Sequence, residues 1–190
     1  MDESTKTVKA LSEETWDDFA RIAARHNGVW GGCWCLAFHE EGGTVKGSAE
    51  KRRDKKLELV CADRSHAALV YLGEEVVGWC QYGRREELPR IKHKKQYEKE
   101  MKDLPDWRIT CFFVDKDHRG QGISQFALHG ALELIREKGG GIVESYPEEV
   151  GERKVSSSFL HNADIGIFEK EGFSRFGRLG SNHWIMRKTI

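Results

Sequence analysis

The spacing of apolar positions changes along the chain, and each change marks an element. Residues 107–114 read Trp-Arg-Ile-Thr-Cys-Phe-Phe-Val and are apolar or small on both faces from Ile109 onward, which suits a central strand covered on two sides. From Ile123 the small and apolar residues Ala127, Gly130, Ala131 and Leu134 recur at helical spacing, over roughly four turns. Gly139, Gly140 and Gly141 end that helix, and residues 142–147 read as the next strand. Strand, helix and strand at this length imply a right-handed crossover joining two parallel strands.

Upstream, residues 6–10 read as a short strand. Ser12 is placed as an N-cap with Glu13 and Glu14 in the first turn, and Trp16, Phe19, Ala20, Ala23 and Ala24 form one apolar face ending near Gly28. Residues 48–61 read as a helix whose basic run, Lys51 to Lys56, is a solvated face. Residues 66–72 and 76–82, joined by Gly73 and Glu74, read as an antiparallel hairpin. Residues 84–106 mix charges closely around Pro89 and Pro105 and read as a surface loop, or as a flap over the active site. A helix over 162–170 and strands at 173–176 and 183–187 complete a single domain, residues 1–190.

The polar turn between the central strand and its helix carries the candidate chemistry. A helix start leaves backbone N–H groups unpartnered, with partial positive charge from the macrodipole. Gly120 and Gly122 let a ligand approach that backbone closely, and Arg119 adds a bidentate donor, so the turn suits a phosphate. A tight strand-to-helix connection with two turn glycines is the alternative reading. No third glycine completes a dinucleotide fingerprint, and no Gly-Lys-Ser/Thr completes a Walker loop.

The run Arg119-Gly120-Gln121-Gly122-Ile123-Ser124 resembles motif A of the GNAT superfamily of N-acetyltransferases, Arg/Gln-x-x-Gly-x-Gly/Ala, with Ser124 in place of the last small residue. Phe168-Glu169-Lys170-Glu171-Gly172-Phe173 resembles its motif B. Cys33-x-Cys35, Gly78-Trp79-Cys80 and Glu144-x-Tyr146-Pro147 are similar to a bacterial subgroup whose acceptors are unassigned. The resemblance implies a mixed α/β fold. Its central, mostly antiparallel sheet has six to seven strands, flanking helices and a splayed parallel pair. It implies acetyl-CoA as cosubstrate and direct acetyl transfer to a primary amine of a small molecule or a protein lysine. Motif A amides, Arg119 to Ser124, would hold the pyrophosphate, and backbone groups of Phe112, Phe113 and Val114 the pantetheine. Phe168 replaces the tyrosine that often serves as general acid and would pack on the cofactor, leaving Tyr146, His118, Ser124 or solvent to protonate the thiolate. Glu144, on an apolar strand beside the splay, is the candidate general base, or else pairs structurally with an arginine. A coenzyme A sensor or interaction module with little or no turnover is the second reading.

Segment 28–39 is too rich in glycine for a helix and too aromatic for free solvent, so it reads as an acceptor-site wall or a packed loop, with Trp30, Trp34, Trp79 and Tyr82 as pocket candidates. Cys33, Cys35 and His39 lack a second close pair of ligands, so no metal is expected. Cys111 reads as a buried thiol rather than a covalent acetyl carrier. Lys plus Arg equals Asp plus Glu at 31 each, which gives no field favouring nucleic acid or membrane. No apolar run approaches the roughly 20 residues of a membrane span, and Met1 to Ser4 show no export signal. The five cysteines then imply a reducing, cytoplasmic compartment, and the chain is expected to act as a monomer or homodimer.

Overall fold

The strands fall where the periodicity places them: β1 (Lys6–Ala10), β2 (His66–Leu72), β3 (Glu75–Arg84), β4 (Trp107–Val114), β5 (Ile142–Ser145), β6 (Ser174–Leu179) and β7 (His183–Thr189). The helices are α1 (Trp16–Arg25), α2 (Glu41–Thr44), α3 (Ala49–Cys61), α4 (Lys94–Glu100), α5 (Ile123–Glu137) and α6 (Ile165–Lys170). This computed structural model describes residues 5–150 and 161–190, so Met1 to Ser4, read above for an export signal, lie outside it. The strands form one sheet in the order β1-β2-β3-β4-β5-β7-β6. Every neighbouring pair is antiparallel except β4 and β5. The expected seven-strand mixed sheet with one parallel pair is therefore present.

α5 covers one face, burying Ile123, Ala127, Leu128, Ala131 and Ile135 against Val70, Cys80, Phe112 and Val143. The other face packs on α1 and segment 28–39 through Phe19, Trp34, Leu69, Trp79, Cys111 and Phe113. Gly78 keeps β3 and the start of α5 together, because a Cβ there would meet the Phe113 carbonyl at 2.6 Å and Ile123 Cγ2 at 2.9 Å.

Several boundaries differ from the sequence reading, each for a local reason. Thr15, not Ser12, organises the entry to α1: its hydroxyl donates to the Ala10 carbonyl (2.8 Å) and accepts from the Ser12 N–H (2.9 Å). Residues 12–15 are thereby held in a turn. α6 starts at Ile165 because Ala163 has a left-handed φ of 61° and Asp164 caps the helix through the Gly166 N–H. Segment 84–106 is not simply a surface loop. It contains α4, and Leu88 and Tyr97 are buried, with Tyr97 packed on Tyr146. Lys56 leaves the solvated basic face altogether and is buried. Among the described residues, no helix is long and apolar enough to cross a membrane.

Candidate active site

β4 and β5 pair only at Trp107–Val143, Arg108–Glu144 and Ile109–Ser145. Beyond that point β4 stays paired with β3 but loses β5, so its far edge opens into a gap. A bulge sets which groups face it: Gln81 pairs with Cys111 and Tyr82 with Ile109, leaving Thr110 as the extra residue. The Asp115 N–H donates to the Val77 carbonyl at 2.8 Å, which in this register turns the main-chain groups of Phe112 and Val114 away from β3. They point into the gap, where the Phe112 N–H donates to the His161 carbonyl at 2.7 Å.

The end of β4 leads into the turn. Asp115 is buried, and its Oδ1 accepts from the Asp117 N–H (3.0 Å) while Oδ2 accepts from Arg25 (2.7 Å) and lies 3.1 Å from His26 Nε2. Burial raises the carboxyl's pKa, but the Asp117 N–H, His26 and Arg25 outweigh it and hold the group below the usual aspartate range. The depressed folded value means this anchor contributes fully above the ordinary aspartate pKa, about 4, and weakens as pH falls through the folded value. Asp115→Asn is expected to weaken coenzyme A binding roughly five- to tenfold at pH 7, measured calorimetrically, because the turn loses order worth about one ordinary hydrogen bond, ~1 kcal/mol.

Gly120 and Gly122 adopt left-handed φ of 74° and 73°, and Gly122 stands at the N-cap of α5. A Cβ at either position would meet nothing within 4 Å. The glycines are therefore required by conformation and by open space in front of the backbone, not by crowding. The first N–H groups of α5 have no intrahelical acceptor.

This gap and turn form one cavity of about 530 Å3. Its wall combines Phe112, Phe113 and Val114 of β4, Arg119, Gly120, Gly122, Ile123 and Ser124 of the turn and α5, and Trp30 opposite. Five additions escaped the sequence reading: Gln125 of α5, and Ala163, Asp164, Ile167 and Lys170 of α6 and the residues leading into it. His118 also lines the cavity, and its Nδ1 is buried without a hydrogen-bond partner among the described residues. Arg119 and Lys170 give the mouth two cations beside a helix N-terminus, an arrangement suited to a polyanion.

The remaining candidates lie elsewhere. Gln121 is outside the lining, its amide turned to the Asp117 carbonyl at 3.4 Å. Phe168 is fully buried between Phe112 and Phe173, edge-on to both, so it supports the β4 wall from behind instead of touching the cavity. Glu144 is also fully buried; Oε1 accepts from the Tyr146 hydroxyl and Oε2 from Arg187 Nε, each at 2.6 Å. Both oxygens already hold a donor, and neither faces the cavity. The structural alternative, a bond to an arginine, describes Glu144 as it stands. Of the acceptor-pocket candidates only Trp30 reaches the cavity; Trp34, Trp79 and Tyr82 are core.

A family-level sequence profile, acetyltransferase (GNAT) family, matches residues 34–151. The chain belongs to the GNAT acetyltransferase family. As such it is an enzyme that uses acetyl-CoA as its acetyl donor. The fold agrees. A PaiA N-acetyltransferase from Thermoplasma acidophilum, solved in complex with coenzyme A, is 15% identical with a TM-score of 0.54, covering 98% of this chain and 99% of that one. An acetyltransferase from Thermus thermophilus is 14% identical with a TM-score of 0.54, covering 100% of both chains. An N-acetyltransferase from Staphylococcus aureus is 14% identical with a TM-score of 0.54, covering 98% of each. No curated protein sequence matches this GNAT chain.

Proposed function

We propose that this GNAT protein transfers an acetyl group from acetyl-CoA directly to a primary amine, on a small molecule or a lysine side chain, and that the whole chain serves as one acyl-CoA-binding unit. The observation that carries the reading is the cavity itself. An open β4 edge runs into a helix N-terminus whose two glycines leave the backbone bare. In this reading the amides from Gly120 to Ser124, with Arg119 and Lys170, grip the diphosphate. The Phe112 carbonyl and the main-chain groups of Val114 hold the pantetheine arm, and the Val114 N–H polarises the thioester carbonyl where β4 and β5 part, the Phe112 N–H being taken by His161.

Glu144 acts here as a positioning residue that pins β5 to β7 through Arg187, at the point where the parallel strands separate. The attacking amine then gives its proton to solvent, and the rate rises with pH until the acceptor's own pKa is passed. A coenzyme A thiol of ordinary acidity leaves without a tyrosine at position 168.

Arg119→Ala is expected to weaken coenzyme A binding about tenfold while leaving the melting temperature unchanged, since Arg119 is exposed. Calorimetric titration alongside a thermal melt checks both halves. For the reaction, a thiol-release assay with acetyl-CoA across small amines and lysine peptides is decisive. Turnover with any acceptor supports transfer. Stabilisation by coenzyme A without turnover on any acceptor favours the sensor reading, to which Phe168 in place of a tyrosine also points.

A further inference from the structure

Behind the β4 wall, on the α1 face of the sheet, a buried polar group lies apart from the cavity and from acetyl transfer. Lys56 is 1% exposed, and its ammonium donates to Ser65 Oγ at 2.6 Å. Ser65 Oγ lies 3.2 Å from His39 Nε2, which also meets the Gln81 amide nitrogen at 2.8 Å. Burial, then the charge of Lys56, keeps the His39 pKa well below its ordinary value, so the ring is neutral and its Nε2 accepts. That chain of hydrogen bonds brings Lys56 no counter-charge. Burial lowers the Lys56 pKa, and the neighbouring sulfurs, Cys35 foremost, oppose that shift.

Cys35 is the focus of the group. The Trp79 indole N–H, which can only donate, points at Cys35 Sγ from 3.2 Å, and Cys111 Sγ lies 3.4 Å away. The hydrogen bond to Cys35 and burial push the Cys111 pKa well up, so Cys111 keeps its proton and donates. The Cys111 hydrogen bond lowers the Cys35 pKa despite burial, with help from Lys56 and Trp79. Two donors aimed at one sulfur beside a buried cation make the setting of a thiolate. A second thiol stands in contact with it, and about 1.4 Å of closure brings the sulfurs to disulfide distance.

We propose that Cys35 and Cys111 are a redox-active dithiol, a modification site that peroxides oxidise to a disulfide tying segment 28–39 to β4 one residue from Phe112. The Cys35 thiolate attacks a peroxide oxygen, the O–O bond breaks and hydroxide leaves, giving a sulfenic acid. Cys111 sulfur attacks that sulfur, the S–S bond forms, the S–O bond breaks, and water departs with the Cys111 proton. The two sulfurs lose two electrons in all and the peroxide gains them. Entry is through segment 28–39, where Val29, Trp30, Trp34 and Cys35 all hold left-handed φ that side-chain-bearing residues disfavour, so this covering opens more readily than the sheet beneath it.

The test uses full-length protein with the exposed Cys61 changed to serine, to prevent cross-linking between molecules. Reduced protein is treated with hydrogen peroxide, remaining thiols are alkylated, and a non-reducing peptide map is taken. A dithiothreitol-reversible Cys35–Cys111 link is expected. A link through Cys33, or a Cys35 that remains alkylatable after peroxide, overturns the proposal. Lys56→Met is expected to slow oxidation roughly tenfold or more by removing the thiolate's cation. Should that variant not fold, the pH dependence of oxidation decides. A rate that levels off at a lower pH than that of free glutathione supports a stabilised thiolate, and one that rises tenfold per unit up to about pH 8, as for an ordinary thiol, overturns it.

Discussion

Gly122→Val is expected to weaken coenzyme A binding at least about 100-fold and to lower the melting temperature by only a few degrees. Gly122 sits at φ 73° at the N-cap of α5. A β-branched residue there is a conformational outlier, and the left-handed region costs an L residue roughly 1–2 kcal/mol. That strain is the smaller part of the effect. No protein atom lies within 4 Å of the added Cβ, so the side chain stands in the open space before the helix N-terminus, where the diphosphate must approach. Calorimetric titration of the variant checks this. Affinity within about threefold of the parent would show that the ligand does not lie against this backbone.

Glu144→Gln is expected to cost about 3–5 kcal/mol of stability, because it leaves the largely buried Arg187 without its anion. In a chain of 190 residues this corresponds to a melting temperature roughly 6–20 °C lower. Below that temperature, turnover per folded molecule is expected to stay within about tenfold of the parent, whereas loss of a general base removes roughly 10²–10⁴-fold. Denaturation and kinetics on the same preparation therefore separate an anchor from a base. An unchanged melting temperature with a thousandfold slower reaction would reinstate Glu144 as the base.

The parts of the site that were legible in the sequence are those determined locally. β4 is apolar on both faces, α5 carries its own period, and Gly120 and Gly122 punctuate the turn, so strand, turn and helix were found with nearly correct bounds. The residues whose surroundings were not legible are placed by distant parts of the chain. Glu144 owes its state to Arg187, 43 residues on, and strand periodicity does not reveal that partner. Lys56 is one cation in a basic run, and only Ser65 and the cysteines across the fold distinguish it from its exposed neighbours. α6 is short enough that its facing is not evident from sequence, and it presents Ile167 and Lys170 to the cavity while Phe168 faces the core. Asp115 had a local cue, an acid directly after a strand and before a turn, but its partners Arg25 and His26 come from the end of α1.

The central claim is that main-chain amides at the start of α5 grip the diphosphate of acetyl-CoA. Calorimetric titration of the protein with coenzyme A, and in parallel with pantetheine, which lacks the diphosphate, tests it most directly. Saturable binding of coenzyme A with a Kd below about 100 μM, and pantetheine at least roughly 100-fold weaker, is the predicted result. No saturable heat with coenzyme A at millimolar concentration, or equal affinity for the two, would contradict it.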